Sequence, residues 1–490
     1  MQDSPTPSFL TDFSQTQLVV FAIIGLLALA VVWYFSFKVP TPVLLGLVLS
    51  AAIIQGFKPI GYISLALLAT VALAPAILRR SKRQHWSLWP KVITGVLAWQ
   101  IISVLWTIRI GSVAHAAIST LALLLAYLLA RQVADTPGGT RFALTIAAPV
   151  ILLQSVLTIV FRFAPALEAA FYSSTAALFL SEPDVELMST GIPQNVSDPD
   201  KAGGFLLNGN ITSLLMAVVA CIYLYEYLKS RKRLFAIIAA VCVAACISTG
   251  SKTALVLLVA LPLLAAFVVL LTRKKRVGLI VGGVLAALVV VTASVLAVTG
   301  FKQVLSALPT LGDRGALWTL AGRAFAEHPF LGLGYGGWSD YVSEFFYTVF
   351  PTDRTFQIFP PHNFVIQAWA DGGIVLALLA LVAAVIPIVG SVRLMNAFRT
   401  RRPTSTDTLS AASLLVASVW VVAHGTLDTT SFFGENHTIA FVAVVVALCT
   451  RDLQEALGNR SRSDVVDASV LEPEPQHISP ATPEVGPAGS

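Results

Sequence analysis

The chain has 490 residues, 56% of them hydrophobic and only 12% charged, with a formal charge of +6 and a mean hydropathy of +0.80. A soluble domain carries about 25% charged residues, so soluble enzymes and disordered proteins are excluded as whole-chain readings. The apolar material suffices for about 12–13 helices of roughly 20 residues, and its long unalternating runs favour a helical bundle over a membrane β-barrel.

The expected fold is therefore all-α, a polytopic transmembrane bundle with a large periplasmic loop carrying short helices. Apolar runs place spans near 17–37, 39–57, 60–78, 91–108, 110–130, 142–161, 206–228, 235–250, 253–272, 277–298, 364–391, 409–425 and 437–450. The first three are crowded, so one of them reads as short or re-entrant and a twelve-span count stays open. The first 16 residues contain no Lys or Arg, so the basic region of a signal peptide is missing and the first run reads as a retained helix.

Basic residues form knots between the runs: Arg79, Arg80, Lys82 and Arg83; Lys229, Arg231, Lys232 and Arg233; Arg273, Lys274, Lys275 and Arg276; Arg393, Arg399, Arg401 and Arg402; and Arg451, Arg460 and Arg462. An even number of spans separates each knot from the next, so all lie on one side, which the positive-inside rule makes cytoplasmic. That patterning points to a lipid bilayer and not to nucleic acid. Segments 162–205 and 299–363 then face outward, away from the basic side. The chain divides into amino-terminal helices with the first outer loop (1–198), a central region (199–391), carboxy-terminal helices (392–463) and a Pro/Glu/Ser/Ala-rich tail (464–490) expected to be disordered and cytoplasmic. Cys221, Cys242, Cys246 and Cys449 all fall inside apolar runs and read as packing residues.

The residues capable of chemistry lie in and around the outer segments. Asn208 and Asn210 stand at the start of the span after 198–205, where a buried amide serves either as interhelical glue or as a ligand contact. In ISTGSKTALVL, Ser251 and Lys252 sit at an outward helix start, where a lysine either snorkels to the interface or binds an anion with the free N–H groups. In the long outer loop, Asp313 is a candidate cap for an amphipathic helix carrying Arg314, Trp318 and Arg323, ended by Pro329. Gly332, Gly334, Gly336 and Gly337 then form a turn, either plain or able to bring backbone N–H groups to a phosphate. The aromatics Trp338, Tyr341, Phe345, Phe346, Tyr347 and Phe350 mark either the membrane interface or a sugar-stacking surface. His362, after two prolines and before Asn363, either caps the next helix or accepts a proton. His424 and Asp428 form a further polar pair near an outer helix end. No His/Cys/Asp cluster has metal-ligand spacing, and no glycosidase-like carboxylate pair stands out.

Taken in order, these segments resemble the O-antigen ligase and polymerase family of bacterial envelope glycosyltransferases. The resemblance rests on Gly203 to Asn210, then Ser251-Lys252, then Arg314 and Trp318 with His328-Pro329, Gly332 and Gly334, then His362-Asn363 ahead of Gly372-Gly373. It covers about residues 198–391. It implies a membrane-embedded transferase using polyprenyl-diphosphate-linked oligosaccharide, inverting, with no metal and no cofactor. It assigns Lys252, Arg314 and His362 as the functional set, with Arg323, Asn363, Asn210, Ser251, Trp318 and Gly334 as substrate-binding candidates, and a flippase and a chain-length regulator as partners. Lysine at 252 departs from the arginine typical of ligases. The family's exopolysaccharide polymerase branch looks similar to Gly250-Ser251-Lys252, which tilts the expectation from ligase to polymerase. A lipid-linked oligosaccharide flippase is the rival class, but a transporter should place ionisable residues near mid-membrane, and here the helix interiors nearly lack them.

Overall fold

The computed structural model describes residues 29–54, 64–174, 200–273, 276, 309–350, 359–400, 405–428, 436–470 and 489. Among them the protein is all-helical, with no strand. The amino-terminal helices are α1 (Thr41–Ile53), α2 (Leu65–Ala72), α3 (Ala74–Arg80), α4 (Leu88–Ile102), α5 (Ile110–Ala134), α6 (Gly139–Phe163) and α7 (Pro165–Tyr172). The central ones are α8 (Gly209–Ser230), α9 (Arg233–Ser248), α10 (Lys252–Arg273), α11 (Pro309–Glu327) and α12 (Gly337–Val349). The last are α13 (Phe364–Thr400), α14 (Ser405–Leu427) and α15 (Asn436–Val470).

Seven of the described helices are long and apolar enough to cross a membrane: Leu88–Leu105, Ile110–Ala134, Gly139–Phe163, Gly209–Ser230, Lys252–Leu271, Phe364–Phe398 and Thr406–Leu427. They match expected spans to within a few residues at most edges. The expected span 277–298 and most of 17–37 lie outside the described residues. The crowded third span is broken into α2 and α3, because Pro75 opens a new helix there and its ring is tolerated only in a first turn. Helix α11 starts at Pro309, four residues before Asp313, so Asp313 is not its cap. The helical backbone of α15 runs on to Val470, and all but one of the remaining tail residues lie outside the described ones.

The core is built around α8, which packs on α9 and α14 and also touches α15. Its side chains from Thr212 to Ala220 are buried without interruption, the pattern of a helix that is apolar on all sides because helices surround it. Helix α13 lies against α4, α14 and α15, and α10 lies against α13 and α14. Two of the basic knots meet at one end. Arg451 Nη2 donates to Tyr225 Oη (2.7 Å), Tyr225 Oη donates to Asp452 Oδ2 (2.8 Å), and Lys229 reaches Asp452 (3.5 Å) and Asp407 (3.3 Å). Residues from three widely spaced segments thus share one end of the bundle.

At the far end, α13 is interrupted. Gly372 (φ −145°, ψ 18°) and Gly373 (φ 73°, ψ −168°) leave helical geometry. An interruption inside a span frees backbone groups that lipid cannot satisfy. The turn after α11 takes them up: Leu333 N donates to Ala370 O (2.8 Å), and Ile374 N donates to Phe330 O (3.1 Å). Trp99 Nε1 of α4 donates to Gly372 O (2.6 Å). The approach is so close that a Cβ on Gly373 would lie 1.9 Å from Phe330 O, and one on Gly332 would lie 2.1 Å from Trp369 O.

Gly373→Ala should therefore cost the strain of a backbone region open essentially only to glycine, about 1–3 kcal/mol, plus the clash, and should lower the melting temperature of the detergent-solubilised protein by several degrees. A melting curve unchanged from the wild type would show that the turn is not locked to this break.

Candidate functional site

His362 stands between Pro361 and the start of α13 with φ +49°, a left-handed conformation uncommon for a residue with a side chain. Its neighbours hold it there. Trp318 Nε1 of α11 donates to Pro361 O (2.9 Å), and Trp338 Nε1 of α12 donates to Phe359 O (2.9 Å). Asn363 caps α13: its Oδ1 accepts from Val365 N (2.9 Å) and Ile366 N (3.2 Å), while its Nδ2 donates to Thr426 O (3.3 Å). The cap thereby ties the start of α13 to the end of α14. As a result His362 Nδ1 lies 3.4 Å from Asp428 Oδ1, both groups being only partly buried.

Asp428 continues the last turn of α14, its N–H donating to His424 O (2.9 Å). The buried His424 ring lies 3.4 Å from Ser213 Oγ, hydrogen-bonds the backbone of Asn210, and is within electrostatic reach of both Asp428 and Arg314. Arg314, half-buried on α11, is thus at the same end of α14 as His362. The structure gathers Asn210, His424, Asp428, His362, Asn363 and Arg314 from four helices and the loops at their ends.

Lys252 lies beside this group in the fold. Ser251 Oγ accepts from Ala254 N (3.4 Å), so the buried serine caps α10 and places Lys252 in its first turn, exposed. The turn before it packs under the 200–208 loop: Ala202 N donates to Thr249 O (3.3 Å), and a Cβ on Gly250 would lie 2.0 Å from Asp200 O. A Cβ on Gly209, next to Asn210, would lie 2.6 Å from Thr249 O. The 249–252 turn, the start of α8 and the end of α14 are therefore consecutive neighbours. Among the described residues neither Lys252 nor Arg314 makes an ion pair with a carboxylate.

The remaining sequence candidates have structural work. Arg323 Nε pairs with Glu327 Oε1 (3.2 Å), and its guanidinium lies 4.2 Å from the Phe345 ring centroid. Tyr341 donates to Glu327 Oε2 (3.0 Å), and these two hydrogen bonds hold the Glu327 carboxyl below the usual carboxylate range. Gly334 (φ +76°) is buried against Trp106, where a Cβ would lie 2.9 Å from the carbonyl oxygen, so its close approach is to protein backbone. Trp318 holds Pro361, and Asn363 and Ser251 act as caps. Tyr335 is buried behind the turn, which pushes its phenol up.

One support was not foreseen from the sequence. Gln154 of α6 receives Phe205 N at Oε1 (2.7 Å) and donates to Gly203 O (2.8 Å). Glu168 of α7 is hydrogen-bonded by Gly203 N and by Tyr172 Oη (3.0 Å), and burial raises its pKa. Together they clamp the 203–207 turn, in which Leu207 takes φ +58°. Buried Gln and Glu in an otherwise apolar stretch were the signal available.

The O-antigen ligase family matches residues 237–381, from α9 through the break in α13, less than a third of the chain. No curated protein matches. The protein is accordingly a multi-helix membrane protein with an O-antigen-ligase-like region, and the likeness read from Ser251-Lys252 to Gly372-Gly373 is supported over that stretch.

Asn363→Ala removes the cap and the tie to Thr426 and should cost about 0.5–2 kcal/mol, read as a fall in melting temperature. Asn363→Asp keeps an acceptor for the cap and should fall between the two. An alanine variant as stable as the wild type would show that the cap does not hold this junction.

Proposed function

We propose that the protein is a membrane glycosyltransferase that joins polyprenyl-diphosphate-linked oligosaccharide repeats on the outer face of the cytoplasmic membrane. It lengthens an exopolysaccharide or O-antigen. The observation that carries this reading is the convergence at one end of α14 of a strained histidine, a carboxylate beside it and a half-buried arginine, with an exposed lysine on the neighbouring turn.

The chemistry suits those groups. An acceptor sugar hydroxyl attacks the anomeric carbon of the donor, the bond from that carbon to the diphosphate oxygen breaks, and inversion follows from attack opposite the leaving group. His362 takes the hydroxyl proton through its ring nitrogen not facing Asp428, and Asp428 orients the ring and balances the positive charge that forms. The leaving diphosphate keeps the bonding electrons. Arg314 and Lys252 meet that growing charge, which stabilises the transition state more than the ground state. A positioned base contributes roughly 10²–10⁴-fold, and removal of one charge-stabilising contact costs about 10²–10³-fold.

A ligase that transfers the finished glycan to lipid A core or to protein is the second reading, favoured by the description of the matching family. It differs in acceptor only. Cells lacking the protein separate the two: short units remaining on lipid A core support polymerase, and long chains left on the carrier support ligase. A flippase is disfavoured by the gathering of polar groups at one end of the bundle.

His362→Ala and Arg314→Ala should each abolish polymer while the protein still inserts, and Asp428→Asn should reduce it by on the order of 10²-fold. Near-normal chain length on gels from any of the three would remove that residue from the mechanism. Lys252→Arg should retain more activity than Lys252→Ala; equal activity would make position 252 an interfacial anchor only.

A further inference from the structure

We propose that the outward stripe of α10 is the track on which the carrier's polyprenyl chain lies, leading up to its diphosphate at Lys252. The proposal rests on the transferase reading above and adds to it the surface that receives the lipid tail. Lys252, Val256, Val259 and Leu263 are spaced i, i+4, i+7 and i+11, one face of a helix. Val256, Val259 and Leu263 are 66%, 64% and 65% exposed, while Ala254, Leu257, Leu261 and Ala265 on the other side are buried, the side that meets α13 and α14. Of the seven candidate spans α10 is the least covered, 22% buried against 33% to 72% for the rest. Its 22 residues are about 33 Å long, close to the hydrocarbon thickness of a bilayer.

Ordinary acyl chains cover any exposed helix, so the apolar stripe alone selects nothing. The selection comes from what stands at its top. Here it is a cation in the helix's first turn, on the same face, with no carboxylate paired to it among the described residues. The comparable stripe of α6 (Leu153, Val156, Val160 and Phe163) ends at the same side of the bundle in an 81% exposed phenylalanine. A long apolar chain with an anionic head is complementary to the first stripe and not to the second.

A photo-reactive benzoylphenylalanine at Val259, compared with one at Val156 of α6, tests this in nanodiscs of neutral phospholipid with undecaprenyl diphosphate as probe. The expected result is crosslinking at Val259 well above Val156, lost on adding Lys252→Ala. Equal crosslinking at the two positions would mean bulk lipid only, and crosslinking of Val259 to the chain's own 277–298 segment would mean a helix contact; either overturns the proposal. In turnover, Val259→Trp should raise the KM of a full-length polyprenyl donor about tenfold, roughly 1.4 kcal/mol of binding. It should leave kcat, and the KM of a short-prenyl donor, unchanged. An active wild type with an unaffected Val259→Trp variant sinks the track alone. A wild type that uses neither donor sinks the transferase reading and the track with it.

Discussion

The arrangement depends on a helix that cannot continue. Once α13 is interrupted at Gly372-Gly373, its freed carbonyl and N–H groups must find partners inside a protein region from which water is largely excluded. The partners they find include the backbone of the 330–333 turn and the Trp99 indole. Pairing with them fixes the α11–α12 hairpin against α13. That in turn sets Trp318 under Pro361 and Arg314 at the end of α14. The break is thus what brings an arginine of α11 and the histidine before α13 to one place, although they stand 48 positions apart in sequence.

The site shows how strain and solvation are managed together. His362 holds a left-handed backbone because a cap, two indole N–H groups and two prolines over-determine its segment. Its ring stays only partly buried, close enough to Asp428 for orientation and open enough to meet a substrate. Arg323, by contrast, has a carboxylate and an aromatic ring as partners, so its charge is spent within the protein. Among the described site candidates Lys252 and Arg314 have no such carboxylate partner, which is why the proposed mechanism turns them to the diphosphate.

Much of the fold was legible because apolar runs of about 20 residues carry their own boundaries. The spans expected at 110–130 and 142–161 fall within a few residues of the observed Ile110–Ala134 and Gly139–Phe163. Capping was harder. Asp313 looks like a helix start, yet Pro309 already supplies a preset φ in the first turn, so the helix begins earlier. The Gly-Gly pair in 364–391 was noticed as a motif, but its structural meaning depends on partners 40 residues away, which local patterns do not encode. For the same reason the glycine turn reads from sequence as either a plain turn or an anion cradle, whereas the close approaches of Gly332 and Gly334 are to Trp369, Ala370 and Trp106, and Leu333 N donates to Ala370 O. The chemistry-bearing residue types were visible individually; the link through Thr426, Asp428 and His424 is a tertiary fact.

The central claim is that this site makes a glycosidic bond at the expense of a lipid diphosphate. The direct measurement is mass spectrometry of the products formed by purified protein, reconstituted with a defined lipid-linked repeat unit. The account predicts one doubled glycan on a carrier and one free polyprenyl diphosphate for every two units consumed, with both products absent in His362→Ala. Recovery of the starting unit intact, merely moved across the bilayer, would contradict it.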